Sequence, residues 1–573
     1  MTDHAPSGAD DIVGTFLDTF WRAWPVTATF AGVHGLDACL PDWSPEGLDD
    51  AAGTWARLAG AARSARGDDA VPALSLPLPR SPEEADLLCA EANAILLADE
   101  CASRHGPGTN PVYATGDAVF GLLGVLARHA HTDPVSASDG AADAAARLHG
   151  VPELLDGVRR AIGGQPVPGA WRDRARRELV AGRRILGEGI PLWVRQARPE
   201  TEWAEALYEA CGPARAAFQA MAEWLDGDVP AAHTRTTANG VEALERRLRL
   251  AHWEPRSTDQ LLDDARRRLA EASAEWRAMA AAAHPGGWPG VLQALADGAP
   301  HADDYLPRLQ RRWDADRGFA ARHDLVRWPD EHPVRFVETD RWARPGSASL
   351  YYLNYRSPAP YDPRVPHRHQ VPYLPDDADA RQAVLRGMHG ATIALNHVIH
   401  HAGLGHHVQN WHAARARTRI GRMAAVDGAC RIALPTGGTV AEGWACYAVD
   451  LVDEFGGLEP LERVVQQHTR VRILCRAVAD LSLHAGLWTH AEAAGCFERE
   501  AAMPPDAAEA EAIRTALFPG TAIMYWLGTS GLHALRRELG PRYPSLRAFH
   551  DAFLSYGAIP VPMIAHLMRG EVA

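Results

Sequence analysis

A chain of 573 residues, 47% apolar and 23% charged, has ordinary globular composition and room for about two to four domains or one large unit. Its 58 basic residues are all arginine and face 72 acidic ones, for a net charge of −14. The missing lysine excludes Schiff-base and P-loop chemistry, and no basic stripe marks a nucleic-acid partner.

The first ten residues, MTDHAPSGAD, are polar and lack the charged-then-apolar pattern of a signal peptide. No apolar run reaches the length of a membrane span, so the expected location is the cytoplasm, with no membrane partner. Cys39, Cys89, Cys101, Cys211, Cys430, Cys446, Cys475 and Cys496 form no Cys-x-x-Cys pair and read as reduced thiols. Residues 1–330 are rich in Ala, Leu, Arg and Glu. Within them 174–188, 203–226 and 258–283 carry helical spacing. Ser257 opens the last of these, with Leu261, Leu262 and Ala265 on one face and Arg266, Arg267 and Arg268 on a solvated one.

The character changes over 331–375. RFVETDRW (335–342) and SASLYYLNYRS (347–357) read as strands, and a proline-rich loop follows to residue 375. His367 and His369 lie in that loop, within reach of a cleft, although a solvated loop is the simpler reading. From Asp376 the chain is helical to its end. The fold class expected is mainly α. A strand/loop insertion at 331–375 separates an N-terminal helical region from a metal-site region, 376–573, in one continuous unit.

Sixteen residues, 397–412, hold six histidines: His397, His400, His401, His406, His407 and His412. Imidazole is the commonest metal-ligating side chain, so the segment points to a metal. The helix entering it runs from about Asp377, with Val384, Met388, Leu395 and Ile399 facing a core. On an unbroken helix His400 and His407 stand roughly 10 Å apart, too far to share one ion. Gly403 and Gly405 break the helix and let a second histidine swing back. His397 and His401, four apart, are a rival pair. His412, after Trp411, reads as a surface or packing residue. Further on, GGTVAEGWACYAVDLVDEFGG (437–457) reads as a helix capped by Thr439 and stopped at Gly456. Glu442 is then either the capping-box partner of Thr439, the simpler reading, or a third metal ligand.

Together these pieces resemble the bacterial family called domain-of-unknown-function 885, a relative of helical zinc peptidases. The family carries His-Glu-Ala-x-Pro-Gly-His-His-x-Gln and later Glu-Gly-Trp-Ala. This chain has His400-His401-Ala402-Gly403-Leu404-Gly405-His406-His407-Val408-Gln409, then Glu442-Gly443-Trp444-Ala445. Asp480 to His484 with Trp488-Thr489, Pro519 to Gly528, Phe549 to Leu554 with Gly557 to Pro560, and the opening TFWRAWPVTATFAGVHGLDACLPDWS continue the likeness over nearly the whole chain. The resemblance implies a bilobal helical body with a metal deep in a central cleft. His400, one of His406 and His407, and Glu442 become ligands, of zinc first and of iron or another transition metal otherwise. His484 and Tyr525 line the cleft and steady an oxyanion, with Asp480 orienting His484. Alone, His484 reads as a satisfied helix histidine, Tyr525 as core, and Asp480 and Asp551 as capping or ion-pair partners.

The departure from the family is His401, where the peptidase pattern has its general-base Glu. Leu404 also replaces a proline. The leading expectation is a metal-dependent enzyme acting on a small peptide-like or amide-bearing substrate, with His401 handling protons. The alternatives are a non-hydrolytic metalloenzyme (lyase, dehydratase or redox) on the same scaffold and a non-catalytic binding protein.

Overall fold

The structure, a computed structural model, describes residues 9–67, 70–103, 105–227, 237–347, 358–423 and 433–572. Helices carry most of these residues, and the two strands among them are five residues each. The mainly α expectation therefore holds.

Local chemistry sets many helix starts. Ser44 and Ser81 each precede a proline and accept a backbone N–H from the first turn, opening Pro45–Ser64 and Pro82–Ala102. Asp133 does the same for Pro134–Ile162. Ser257 and Gln260 form a reciprocal capping box on Thr258–Ala283, where Leu261, Leu262 and Ala265 are buried. Arg266, Arg267 and Arg268 lie on its solvated face, and Asp264 engages the last two. The spacing read at 203–226 falls on Thr201–Gly227. That at 174–188 falls on Gly169–Arg184 and the π-helical turn Ile185–Gly189.

One apolar cluster runs from Ile12 to Met568, so both ends of the chain share a core. Polar contacts cross it as well. Asp86 accepts the N–H groups of Arg419 and Ile420, and Asn93 Nδ2 donates to Thr436 Oγ1 at 2.7 Å. A smaller cluster gathers Tyr305, Trp313, Phe336, Val371, Val398 and Ala402 beneath a two-stranded sheet.

The strands are Val334–Glu338 and His367–Val371, paired in parallel with Val334 opposite His367. The first lies within the expected strand. The second overturns the loop reading, because alternation places His369 and Val371 inward while Arg368 is exposed. The other expected strand lies outside the described residues, except for Ser347, which ends the short helix Arg344–Ser347.

The single helix expected from Asp377 is two. Asp377 caps Ala378–Gly387, the chain turns at Met388, and a π-helix spans Thr392–Ala402. Met388, Leu395 and Ile399 are buried all the same, while Val384 is half-buried and its neighbour Leu385 is buried. No helix among the described residues is long and apolar enough to cross a membrane.

Candidate metal centre

Three elements meet around the histidines: the π-helix Thr392–Ala402, the helix His406–Ala413, and the helix Gly438–Glu454. The turn between the first two is Gly403-Leu404-Gly405. A Cβ on Gly405 would stand 2.0 Å from the His400 carbonyl oxygen, so only glycine lets the chain double back so closely. The turn's backbone groups are met from outside. Trp313 Nε1 donates to Ala402 O at 2.7 Å, and Trp444 Nε1 donates to Leu404 O at 2.9 Å. The buried Asp316 carboxylate lies near the Leu404 amide. Burial raises Asp316 to about 6.

The fold-back brings His400 and His406 together, with ring centroids 4.8 Å apart and planes at 87°. Glu442 Oε2 lies 3.5 Å from His400 Nε2 and 3.6 Å from His406 Nε2. His400, His401 and His406 also offer ligand atoms that all lie within 4.8 Å of one another. The two groupings overlap but differ in tightness. Ligands about 2.0–2.1 Å from a tetrahedral ion stand about 3.3–3.4 Å apart. The two Glu442 distances come close to that spacing.

His401 stands beside them. Its Nδ1 donates to the Asn396 carbonyl at 2.6 Å, which fixes the tautomer and leaves Nε2 as the lone-pair nitrogen. Burial, then the neighbouring imidazoles of His400, His406 and His369, hold it well below the usual histidine range, so it is neutral. Burial lowers His400 too, against the pull of the Glu442 carboxylate beside it. Burial pushes the Glu442 carboxyl upward, but the His400 and His406 imidazoles beside it win and hold it well below the ordinary range.

Glu442 is not a capping residue. The helix begins at Gly438, after a short 3₁₀ turn, so Thr439 is already helical. Its hydroxyl lies 3.4 Å from the Val561 amide instead. The helix ends at Glu454, with Gly456 in the left-handed region beyond it.

The other sequence candidates divide. His407 Nε2 donates to the His332 carbonyl at 2.9 Å and its ring stacks on His367, so His406 is the histidine beside Glu442. His397 pairs with His369 rather than with His401, Nδ1 to Nε2 at 3.4 Å. His369 is 1% exposed, which overturns its reading as a solvated loop residue. His412 donates to the Arg327 carbonyl, and Asp551 accepts the Arg327 amide. His484 is fully buried, with its nitrogens 3.2 and 3.0 Å from the carbonyls of Thr237 and Thr515. Those are the contacts of a structural histidine. Asp480 lies 3.6 Å from it but accepts the amides of Gly520 and Ile523, so it anchors the turn leading to Tyr525.

Tyr525 opens the helix Met524–Leu539, which crosses Gly438–Glu454 in backbone contact at Gly443 and Gly528. A Cβ on Gly528 would stand 2.0 Å from Thr439 O, and one on Gly443 would stand 2.6 Å from Gly528 Cα. This close crossing brings Tyr525 within electrostatic reach of Glu442. Burial raises the Tyr525 phenol well above its ordinary range, so it keeps its proton. Its oxygen accepts from Arg514 Nη2 at 2.9 Å. Sequence reading missed Arg514 and Asp316, because neither sits in a recognisable spacing with the histidines.

The comparisons with known proteins agree on the fold and leave the chemistry open. Two solved structures cover nearly all of this chain. One, from Shewanella oneidensis, is called a "putative lipoprotein of unknown function"; it matches with a TM-score of 0.73 at 17% identity, over 98% of this chain and 100% of that one. The other, a "putative lipoprotein" from Colwellia psychrerythraea, matches with a TM-score of 0.72 at 15% identity, over 99% of this chain and 100% of that one. No curated protein matches. The family model described as "Bacterial protein of unknown function (DUF885)" matches residues 25–568, and the chain belongs to that family.

Proposed function

We propose that this protein is a metal-dependent enzyme on a peptidase-like scaffold, acting on a small peptide-like or amide-bearing substrate. The observation that supports this most is Glu442 Oε2 standing 3.5 and 3.6 Å from two imidazole Nε2 atoms contributed by different helices. The residues fit a divalent ion, zinc first. Glu442 Oε2 is buried without a hydrogen-bond partner, which is costly unless something else meets it. His400, His406 and Glu442 would hold the ion, and a bound ion would supply Lewis acidity toward a substrate carbonyl.

The chain's own groups divide the remaining work. The Tyr525 hydroxyl accepts from Arg514, and its own proton has no acceptor among the described residues. It is therefore placed to donate to a carbonyl oxygen as negative charge develops there. His401 presents a neutral Nε2 lone pair and is the group available to take a proton and return it to a leaving amine. Taking that proton would make a cation beside a divalent ion, which is disfavoured, so turnover of ordinary dipeptides should be slow.

A second reading rests on the third imidazole. With His401 within 4.8 Å of the other two, a three-histidine, one-carboxylate set suits iron or another transition metal and non-hydrolytic chemistry. Metal analysis of wild type, His400→Ala and Glu442→Ala after identical purification tests both readings. Both variants should lose the ion, and equal occupancy in all three would remove the site. Product analysis with labelled dipeptides then separates hydrolysis from the alternative.

A further inference from the structure

A recess lies at the starts of the two helices that carry Glu442 and Tyr525. Gly438 and Met524, the first residues of Gly438–Glu454 and Met524–Leu539, both line it, together with Arg247, His252, Gly520 and Thr521. It holds about 340 Å³ of empty space, counting its mouth. Neither helix start has a side-chain cap, so both bring their positive ends here. Helix ends alone do not make a site, but two side chains add to them.

Arg247 is half-buried and makes no hydrogen bond or ion pair with any described residue. Its stem runs over Gly520, where an added Cβ would meet Arg247 Cδ at 3.6 Å. Asp480 feels its charge, but the Asp480 oxygens accept the amides of Gly520 and Ile523 and are not part of the lining. His252 is 4% exposed. Its Nε2 stands 2.6 Å from the Gly520 carbonyl oxygen, so Nε2 carries the proton and donates it there. Burial lowers the imidazole to about 4, which keeps it neutral and leaves Nδ1 a lone pair. That Nδ1 is buried with no hydrogen-bond partner, a costly state unless a ligand donates to it.

The recess therefore offers donors for charged oxygens and one buried acceptor. A carboxylate or a sulfate suits the donors only, and would set an oxygen lone pair against that of Nδ1. A monohydrogen phosphate group suits both, because it carries charged oxygens and one P–OH. We infer that the recess binds a monohydrogen phosphate group, free or as the head of a small phosphomonoester. Arg247 and the helix starts hold its charged oxygens, and His252 Nδ1 accepts its P–OH. The site is separate from the histidine centre and does not depend on the metal reading.

The test is isothermal titration of the full chain near neutral pH with sodium phosphate, sodium sulfate and phenyl phosphate. Phosphate should bind at least about tenfold more tightly than sulfate, which leaves the buried acceptor unpaired. Arg247→Met keeps a stem over Gly520 and should weaken phosphate binding by at least about tenfold. His252→Gln keeps a donor for the Gly520 carbonyl, removes the lone pair, and should erase the preference for phosphate over sulfate. His400→Ala, in the histidine centre, should bind phosphate as wild type does. Circular dichroism shows whether each variant is folded; if His252→Gln is not, the wild-type preference and Arg247→Met still decide. Phenyl phosphate binding more tightly than inorganic phosphate identifies a phosphomonoester as the occupant, and the reverse identifies the free ion. Either order supports the site. Equal affinities for phosphate and sulfate, no binding of phosphate, or wild-type phosphate affinity in Arg247→Met would overturn the inference. So would phosphate binding that His400→Ala removes, since the ligand would then sit at the histidines.

Discussion

Replacing Gly405 by alanine should undo the turn that carries His406. The added Cβ stands 2.0 Å from the His400 carbonyl oxygen, 2.7 Å from its carbon and 2.9 Å from the Ile399 oxygen. All three are backbone atoms, so no side-chain tip can give way. Forced overpacking of this kind costs about 1–3 kcal/mol. Relief by moving the turn breaks the bond from Gly405 N to Ile399 O, 2.8 Å long, for about 1 kcal/mol more. The sum is a loss of about 2–4 kcal/mol, and the same movement carries His406 away from Glu442. Zinc affinity should fall by about tenfold or more, since each ~1.4 kcal/mol of lost ligand geometry is one decade. The assays are the urea midpoint and zinc competition against a chromogenic chelator. Gly387→Ala is the control, because a Cβ there meets nothing within 4 Å and helix propensity makes it neutral or stabilising by up to about 1 kcal/mol. If Gly405→Ala matched the control in both assays, the argument that this glycine places His406 would be wrong.

His401→Glu should raise hydrolysis of unblocked and blocked dipeptides, by up to the ~10²–10⁴-fold typical of a general base. Robust wild-type turnover that the variant abolishes would instead give the imidazole its own catalytic role. Acid should destabilise the fold through histidines buried in neutral form. Burial lowers His252, His468 and His484 to about 4 and His550 to about 3. An unfolded histidine titrates near 6.5, so the unfolded chain binds more protons below that pH. Stability is then complete above about 6.5 and falls as pH drops toward 4, by up to about 1.4 kcal/mol per pH unit for each group. Urea midpoints that stay constant from pH 7 to pH 4.5 would contradict this. Thiol titration should find the exposed Cys39 reactive in the native protein, and all eight thiols free only after denaturation. A large shortfall under non-reducing conditions would point to a disulfide.

Much of the site was legible because glycine and histidine leave strong marks in a sequence. The Gly-Leu-Gly break, the return of a second histidine and the helix bearing Glu442 all follow from spacing and helix geometry. Which of His406 and His407 returns did not. That depends on the turn's dihedral angles and on the His332 carbonyl, 75 residues earlier in the chain, which claims His407. The capping reading of Glu442 failed because a 3₁₀ turn starts the helix before Thr439, and helix boundaries are the least determined feature of a sequence. The loop reading of residues 367–371 failed because flanking prolines hid a strand whose partner lies 33 residues away. Arg514 was invisible for a similar reason: only tertiary packing brings its guanidinium to the Tyr525 oxygen near Glu442.

The backbone contact between Gly443 and Gly528 bears on what this scaffold can adapt. Two helices that touch through glycine have no side chains in the seam to enlarge or trim. The span from Glu442 to Tyr525 therefore works as a fixed ruler. A bulkier or longer substrate cannot be met by repacking there, and a variant library aimed at the seam should return mostly unfolded proteins. Tuning has to come from side chains outside the seam. For anyone redesigning the pocket, that divides the molecule into a part to leave alone and a part to vary.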